Sequence, residues 1–200
     1  MNNDLKTYSE YDRKHIFNEQ QATFESVFSK VDLSKIAFVG GVADYLNLRD
    51  YYDMPVNDLD IIFQDEEDLR QIIDNEGVER FDCKFYKYNS KEVLVSEFFV
   101  DGKRVHIDYY QRNFSALRLT QSYLLGYRVM HASFKEMKKF HNDQIGRLTS
   151  SAMGKDYDWK RLYKHSKKAS LYNNVDYLSE KKLLHTIKNT VNEAGAKDNF

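Results

Sequence analysis

The spacing of apolar positions changes several times along this chain, and each rhythm predicts an element. Phe17, Phe24, Val27, Phe28 and Val31 recur at helical intervals between charged residues, which predicts a packing helix over residues 8–31. Residues 35–39 read as a first strand, and its apolar run, Ile36 to Val39, ends at Gly40-Gly41. Paired glycines let a backbone turn tightly and come close to a ligand. Residues 42–49 read as a short helix and residues 50–55 as a loop, closed by the single proline, Pro55. A second strand spans residues 57–63, with Asp58 and Asp60 at i and i+2. Alternate residues of a strand share a face, so the two carboxylates point one way while Leu59, Ile61 and Phe63 enter the opposite layer.

Residues 65–75 read as an acidic surface helix with Leu69, Ile72 and Ile73 on one side and Gly77 as its stop. Three strand-like runs follow at 81–88, 92–100 and 103–110, the last two joined by the hairpin turn Asp101-Gly102. From Ser115 onwards the pattern predicts helices: Leu117, Leu124, Tyr127, Phe134 and Met137 mark core positions of two of them. Another helix begins near Lys155, with Trp159, Leu162 and Tyr163 at i, i+3 and i+4. Leu184, Ile187 and Val191 suggest a last helix, fraying over residues 192–200. The expected fold class is α+β. A mixed β-sheet core flanked by helices occupies residues 1–112, and a C-terminal helical region packed on that core occupies 113–200.

Composition narrows the class. The 200 residues are 42% hydrophobic and 14% aromatic, enough for one full core with a small helical annex. Cys83 is the one cysteine, so an intrachain disulfide is ruled out and a reducing cytoplasm is the expected home. No apolar run approaches the roughly 18–20 residues of a membrane span, and the polar N-terminus does not resemble a signal peptide. The net charge of −1 hides an asymmetry: residues 1–100 carry a net −10 and residues 101–200 a net +9. An acidic half able to hold metal and a basic half able to meet phosphate suit a polyanionic substrate, although opposite halves also attract each other.

Two carboxylates held side by side repel unless a cation lies between them, and hard oxygen donors ask for an ion such as Mg2+. Val105 to Tyr110 alternates apolar and polar positions, which places Asp108 on a later strand of the sheet. His106 shares its face, as a ligand, a proton acceptor or a hydrogen-bonded neighbour; Glu97 on the preceding strand is a lesser candidate. Tyr51 and Tyr52, beside the proposed site, either stack on a base or pack against the sheet.

Gly40-Gly41, a short helix, and then Asp58-x-Asp60 on a strand resemble the signature of the DNA polymerase β-like nucleotidyltransferases. That superfamily includes CCA-adding enzymes, aminoglycoside nucleotidyltransferases and AbiEii-type toxins. The resemblance implies that Asp108 is the third carboxylate and that two Mg2+ ions, with Mn2+ as a substitute, are held by Asp58, Asp60 and Asp108. It implies that Gly40 and Gly41 cradle nucleotide phosphates. Lys155-Asp156, opening a late helix, resembles a motif of AbiEii-type toxins and would bring Lys155 to the triphosphate. The implied reaction moves a nucleoside monophosphate from an NTP to an acceptor hydroxyl on RNA or tRNA, a protein or a small molecule, releasing pyrophosphate.

The sequence departs from the family in three places: Gly41 stands where many members have serine, Ala43 stands where CCA-adding enzymes have arginine before Asp44, and the stretch from Gly41 to Asp58 is slightly long. A catalytically inactive binding module on the same fold is the alternative. A third reading is a nucleic-acid-binding protein that uses the basic run Lys160, Arg161, Lys164, Lys167 and Lys168, a run that also suits a solvated helix face.

Overall fold

A computed structural model describes residues 10, 12–14, 16, 18–26, 28, 32–56, 58–65, 67, 80–88, 91–100, 103–150 and 158–197. Their strands are β1 (Ile36–Phe38), β2 (Leu59–Phe63), β3 (Arg80–Tyr88), β4 (Lys91–Val100), β5 (Lys103–Gln111), β6 (Leu119–Leu124) and β7 (Tyr127–Ala132). Their helices are α1 (Asn18–Ser26), α2 (Gly40–Leu48), α3 (Phe134–Ser150) and α4 (Trp159–Lys197), with a short 3-10 turn at Phe114–Ala116. The class is α+β, as expected. The chain divides into two compact units, Met1–Met137 and Lys138–Phe200.

In the first unit the seven strands make one sheet in the order β3-β4-β5-β2-β1-β7-β6. It is mixed. β1 runs antiparallel to β2 and parallel to β7, and β2 runs parallel to β5. β3, β4 and β5 form an antiparallel meander beyond it. The three short strands expected at 81–88, 92–100 and 103–110 are therefore present, each within a residue or so of its expected limits.

The centre of the sheet is apolar. All of Ile36, Ala37 and Phe38 are buried, as are Leu59, Ile61, Ile62 and Phe63 on β2. Phe24 and Phe28 close over β1, with ring centroids 5.7 and 5.3 Å from Phe38. The predicted helix at 8–31 is thus present as α1 and flanking pieces, with Ile16 bridging to Val56; Phe17, Val27 and Val31 lie outside the described residues. So does nearly all of the helix expected at 65–75.

One expectation fails. Residues 119–132, read above as helical, are the hairpin β6–β7 at the edge of the sheet. The intervals between Leu117, Leu124, Tyr127, Phe134 and Met137 suit a helix, but the residues between them are strand formers such as Thr120, Tyr123 and Val129. The turn residues decide the outcome. Leu125 at φ 52° and Gly126 at φ 89° give both turn positions left-handed backbone, the geometry that two-residue hairpins favour. β7 pairs with β1, and the sheet-bearing unit runs to Met137.

The second unit is an antiparallel helical pair. Lys138 forms an ion pair with Asp176, and His141 Nδ1 lies 2.9 Å from His165 Nδ1, so the rest of α3 runs beside α4. His141, Leu148, His165, Ala169, Tyr172 and Val175 are buried. α4 is one helix of 39 residues, where two were expected. It contains no proline, and Gly195 near its end is its one glycine, so nothing in its interior stops it. Among the described residues no helix is long and apolar enough to cross a membrane.

Candidate functional site

The site is built by two features of the backbone. The first is the bend after β1. Val39 is extended and donates its N–H to the Asp60 carbonyl at 3.0 Å, which ties the bend to β2. Gly40 then adopts φ +54° and opens α2 directly. A side chain there would be strained and would have no room: a Cβ on Gly40 would lie 1.8 Å from Asp60 Oδ2. At Gly41 a Cβ would lie 3.1 Å from Asp58 Oδ1, tight but not prohibitive. Each glycine therefore faces one of the two aspartates.

The second feature is the parallel pairing of β2 with β5. Leu59 registers with Ile107, Asp60 with Asp108 and Ile61 with Tyr109. Leu59, Ile61, Ile107 and Tyr109 are buried, while Asp58, Asp60 and Asp108 are half-buried on the alternate positions. Neighbouring strands lie about 4.8 Å apart, so registered Asp60 and Asp108 are close enough for both carboxylates to reach one ion. Tyr110 donates its hydroxyl to Asp108 Oδ2 at 3.3 Å.

Asp58 shares this face two residues earlier on the chain. Hard carboxylate oxygens suit a divalent cation such as Mg2+. Among the described residues, however, no three His, Cys, Asp or Glu side chains are grouped closely enough to hold a metal. The three expected carboxylates are thus brought to one face without closing into a cage.

The remaining candidates are placed as follows. Glu97 and His106 register opposite each other on β4 and β5, with His106 two positions before Asp108. Lys155 lies outside the described residues. Tyr51 is exposed and Tyr52 half-buried, in the loop that follows α2. Asp44 is fully buried within α2. An open polar depression lined by Gln64, Asp65, Arg112 and Asn113 lies past the far ends of β2 and β5. It is about four residues, or ~13 Å, along the strand from Asp60 and takes no part in this site.

Three polar clusters were not anticipated. Asp12 is buried and accepts from Tyr45 Oη at 2.6 Å, Arg49 Nη1 at 2.9 Å and the Leu125 N–H at 2.8 Å. Burial and then the Asp12 carboxylate push the Tyr45 phenol well above its usual range. His131 on β7 is buried, with Nδ1 2.9 Å from the Ala132 carbonyl and Nε2 2.8 Å from Ser122 Oγ. Burial holds its pKa down at about 4. The third cluster is the His141–His165 pair, where burial and then His141 lower the His165 value to about 4. The i, i+4 spacing of Tyr45 and Arg49 was the one visible sign of the first cluster; single histidines in strand or helix patterns give none.

No protein-family model matches the chain, and no curated protein matches it either. Among solved structures, a Thermotoga maritima protein provisionally described as a nucleotidyltransferase is similar at 14% identity, with a TM-score of 0.45 over 72% of this chain and 89% of that one. At those values the likeness is loose, and the site rests on its own geometry.

Proposed function

We propose that this chain is a metal-dependent nucleotidyltransferase that moves a nucleoside monophosphate from an NTP to an acceptor hydroxyl and releases pyrophosphate. The observation that carries the reading is the contact of the glycine bend with the acids: Gly40 leaves room for Asp60, Gly41 faces Asp58, and Asp60 registers with Asp108. Asp58, Asp60 and Asp108 would hold Mg2+. Bound there, the ion would neutralise charge on the phosphates and on the attacking and leaving oxygens.

The chain's own groups do the rest. The first N–H groups of a helix lack intrahelical partners, and those of α2 begin at the glycine bend, so they offer donors to phosphate oxygens. Asp108 takes the proton of the attacking hydroxyl. Tyr110, hydrogen-bonded to Asp108 Oδ2, holds that carboxylate in position. By the family resemblance Lys155 would be the residue that meets the triphosphate. The acceptor is an RNA, a protein or a small molecule carrying a free hydroxyl.

A second reading has its own support. The carboxylates do not form a closed group, and Gly41 and Ala43 stand in place of the family's serine and arginine, as in a module that binds nucleotide without chemistry. Incubation with labelled NTPs and Mg2+ separates the two. An enzyme releases pyrophosphate and labels an acceptor, and Asp60→Asn lowers that turnover on the order of a thousandfold with an unchanged circular-dichroism spectrum. Wild-type turnover in the variant refutes the assignment. Saturable nucleotide binding with no pyrophosphate from the native chain establishes the silent module instead.

A further inference from the structure

Residues 159–175 of α4 carry Lys160, Arg161, Lys164, Lys167 and Lys168 and no acidic residue; the first acid is Asp176. The same stretch presents Trp159 and Tyr163 at 68% and 71% exposure. Large aromatic rings normally bury most of their surface, yet α4 offers Trp159 and Tyr163 here, and Tyr177 further along, to solvent. Four residues apart, Trp159 and Tyr163 lie on one face of α4, about 6 Å apart along its axis. Lys160, Lys164 and Lys167 are exposed beside them.

Flat rings interleaved with ammonium groups match the two chemical parts of a single-stranded polynucleotide. Base faces stack on the rings, and phosphates meet the cations. We propose that this face of α4 is a binding surface for single-stranded nucleic acid. It recognises base faces and phosphates and not the sugar, so it takes RNA and DNA strands alike. It acts independently of the transfer chemistry proposed above. A membrane surface would need a continuous apolar stripe, whereas Ser166, Ser170, Asn173 and Asn174 are exposed between Tyr163 and the next exposed apolar residues, Tyr177 and Leu178. An acidic protein would satisfy the lysines and leave the exposed rings unexplained.

Trp159 is the only tryptophan, so its fluorescence reports directly on the proposed contact. Titrating the full chain with a uridine dodecamer should quench that emission to saturation. Affinity should fall with salt at a log–log slope of about −2, as expected for three phosphate contacts on a single strand. A thymidine dodecamer should bind equally. Tyr163→Ala should weaken binding on the order of tenfold. Lys164→Gln with Lys167→Gln should flatten the salt slope by about 1.4. Asp60→Asn should bind like the native chain.

Inorganic polyphosphate of matched length should bind more weakly and leave the emission unquenched. Four results would each overturn the proposal: no quenching by the dodecamer, polyphosphate binding as tightly as the oligonucleotide, unchanged affinity in Tyr163→Ala, or loss of binding in Asp60→Asn. A blue shift with phosphatidylglycerol vesicles alone would assign the face to a lipid surface.

Discussion

The sheet-bearing unit holds aspartates in two contrasting settings. Asp12 is buried, and its oxygens meet the Arg49 guanidinium, the Tyr45 hydroxyl and the Leu125 N–H. Those donors join the N-terminal segment, the end of α2 and the β6–β7 turn through one side chain. Asp58, Asp60 and Asp108 are half-buried on one sheet face, against glycines that leave them space. A carboxylate sunk among fixed donors holds the fold together; the half-buried carboxylates on the sheet face are the ones proposed above to meet a ligand. Burial depth, more than residue type, separates the acid that ties the fold from those proposed to act on a ligand.

The largest expected effect tests the first half of that contrast. Asp12→Ala leaves the Arg49 side chain, only 8% exposed, without its ion-pair partner and removes the acceptor for two further donors. Breaking a buried pair in this way should cost about 3–5 kcal/mol of stability, read as a lowered urea midpoint. Turnover of whatever protein stays folded should be unchanged. A loss below about 1 kcal/mol would show that Asp12 is not the tie that its geometry describes.

The second test compares the two glycines. Gly40→Ala puts a methyl where Asp60 Oδ2 now sits and forces a left-handed φ on a residue with a Cβ, so Asp60 must rotate away. Displacing a reacting group by about 1 Å can cost on the order of a hundredfold in rate, and the backbone strain adds about 1–2 kcal/mol of instability. Gly41→Ala requires only a few tenths of an ångström from Asp58 Oδ1 and should keep turnover within about threefold of native. Steady-state rates for both variants, measured side by side, decide the point. Equal losses, or a larger loss at Gly41, would remove Asp60 from the centre of the site.

The central part of this arrangement was readable in the chain. Asp58 and Asp60 at i and i+2, a glycine pair ending an apolar run, and Asp108 on an alternating strand are local patterns, and the structure sets all five residues at one end of β2 and its neighbours. What the pattern could not supply was register. The pairing of Asp60 with Asp108 depends on a parallel contact between strands nearly fifty residues apart, and no local periodicity encodes that. The β6–β7 hairpin was missed for a different reason: Leu125 occupies a turn position that glycine or asparagine normally fills, so the usual turn signal was only half present. Nothing in the local sequence singled out Asp12, whose donors come from two distant places in the chain, the end of α2 and the β6–β7 turn.

The smallest expected effect concerns a buried group that, unlike Asp12, has no counter-charge among its hydrogen-bond partners. His131 meets a backbone carbonyl and a serine hydroxyl, and burial holds its pKa at about 4 against an ordinary 6.5. An unfolded chain therefore takes up this proton near pH 6.5, and the folded chain does not until about pH 4. Between those values the unfolded state binds more protons, so stability is lost as the pH falls, by up to about 1.4 kcal/mol per unit. From pH 7 to pH 5 the loss through His131 should approach about 2 kcal/mol. His131→Gln keeps hydrogen-bonding capacity and removes the titration, so its stability should fall less over the same interval. His165, lowered in the same direction, titrates identically in both proteins and cancels from the comparison. Urea unfolding at pH 7 and pH 5 gives the four numbers required. Equal acid losses in the native chain and the variant would mean that His131 already shares a proton with its surroundings, and burial would then no longer mark the groups that the fold holds in a single charge state.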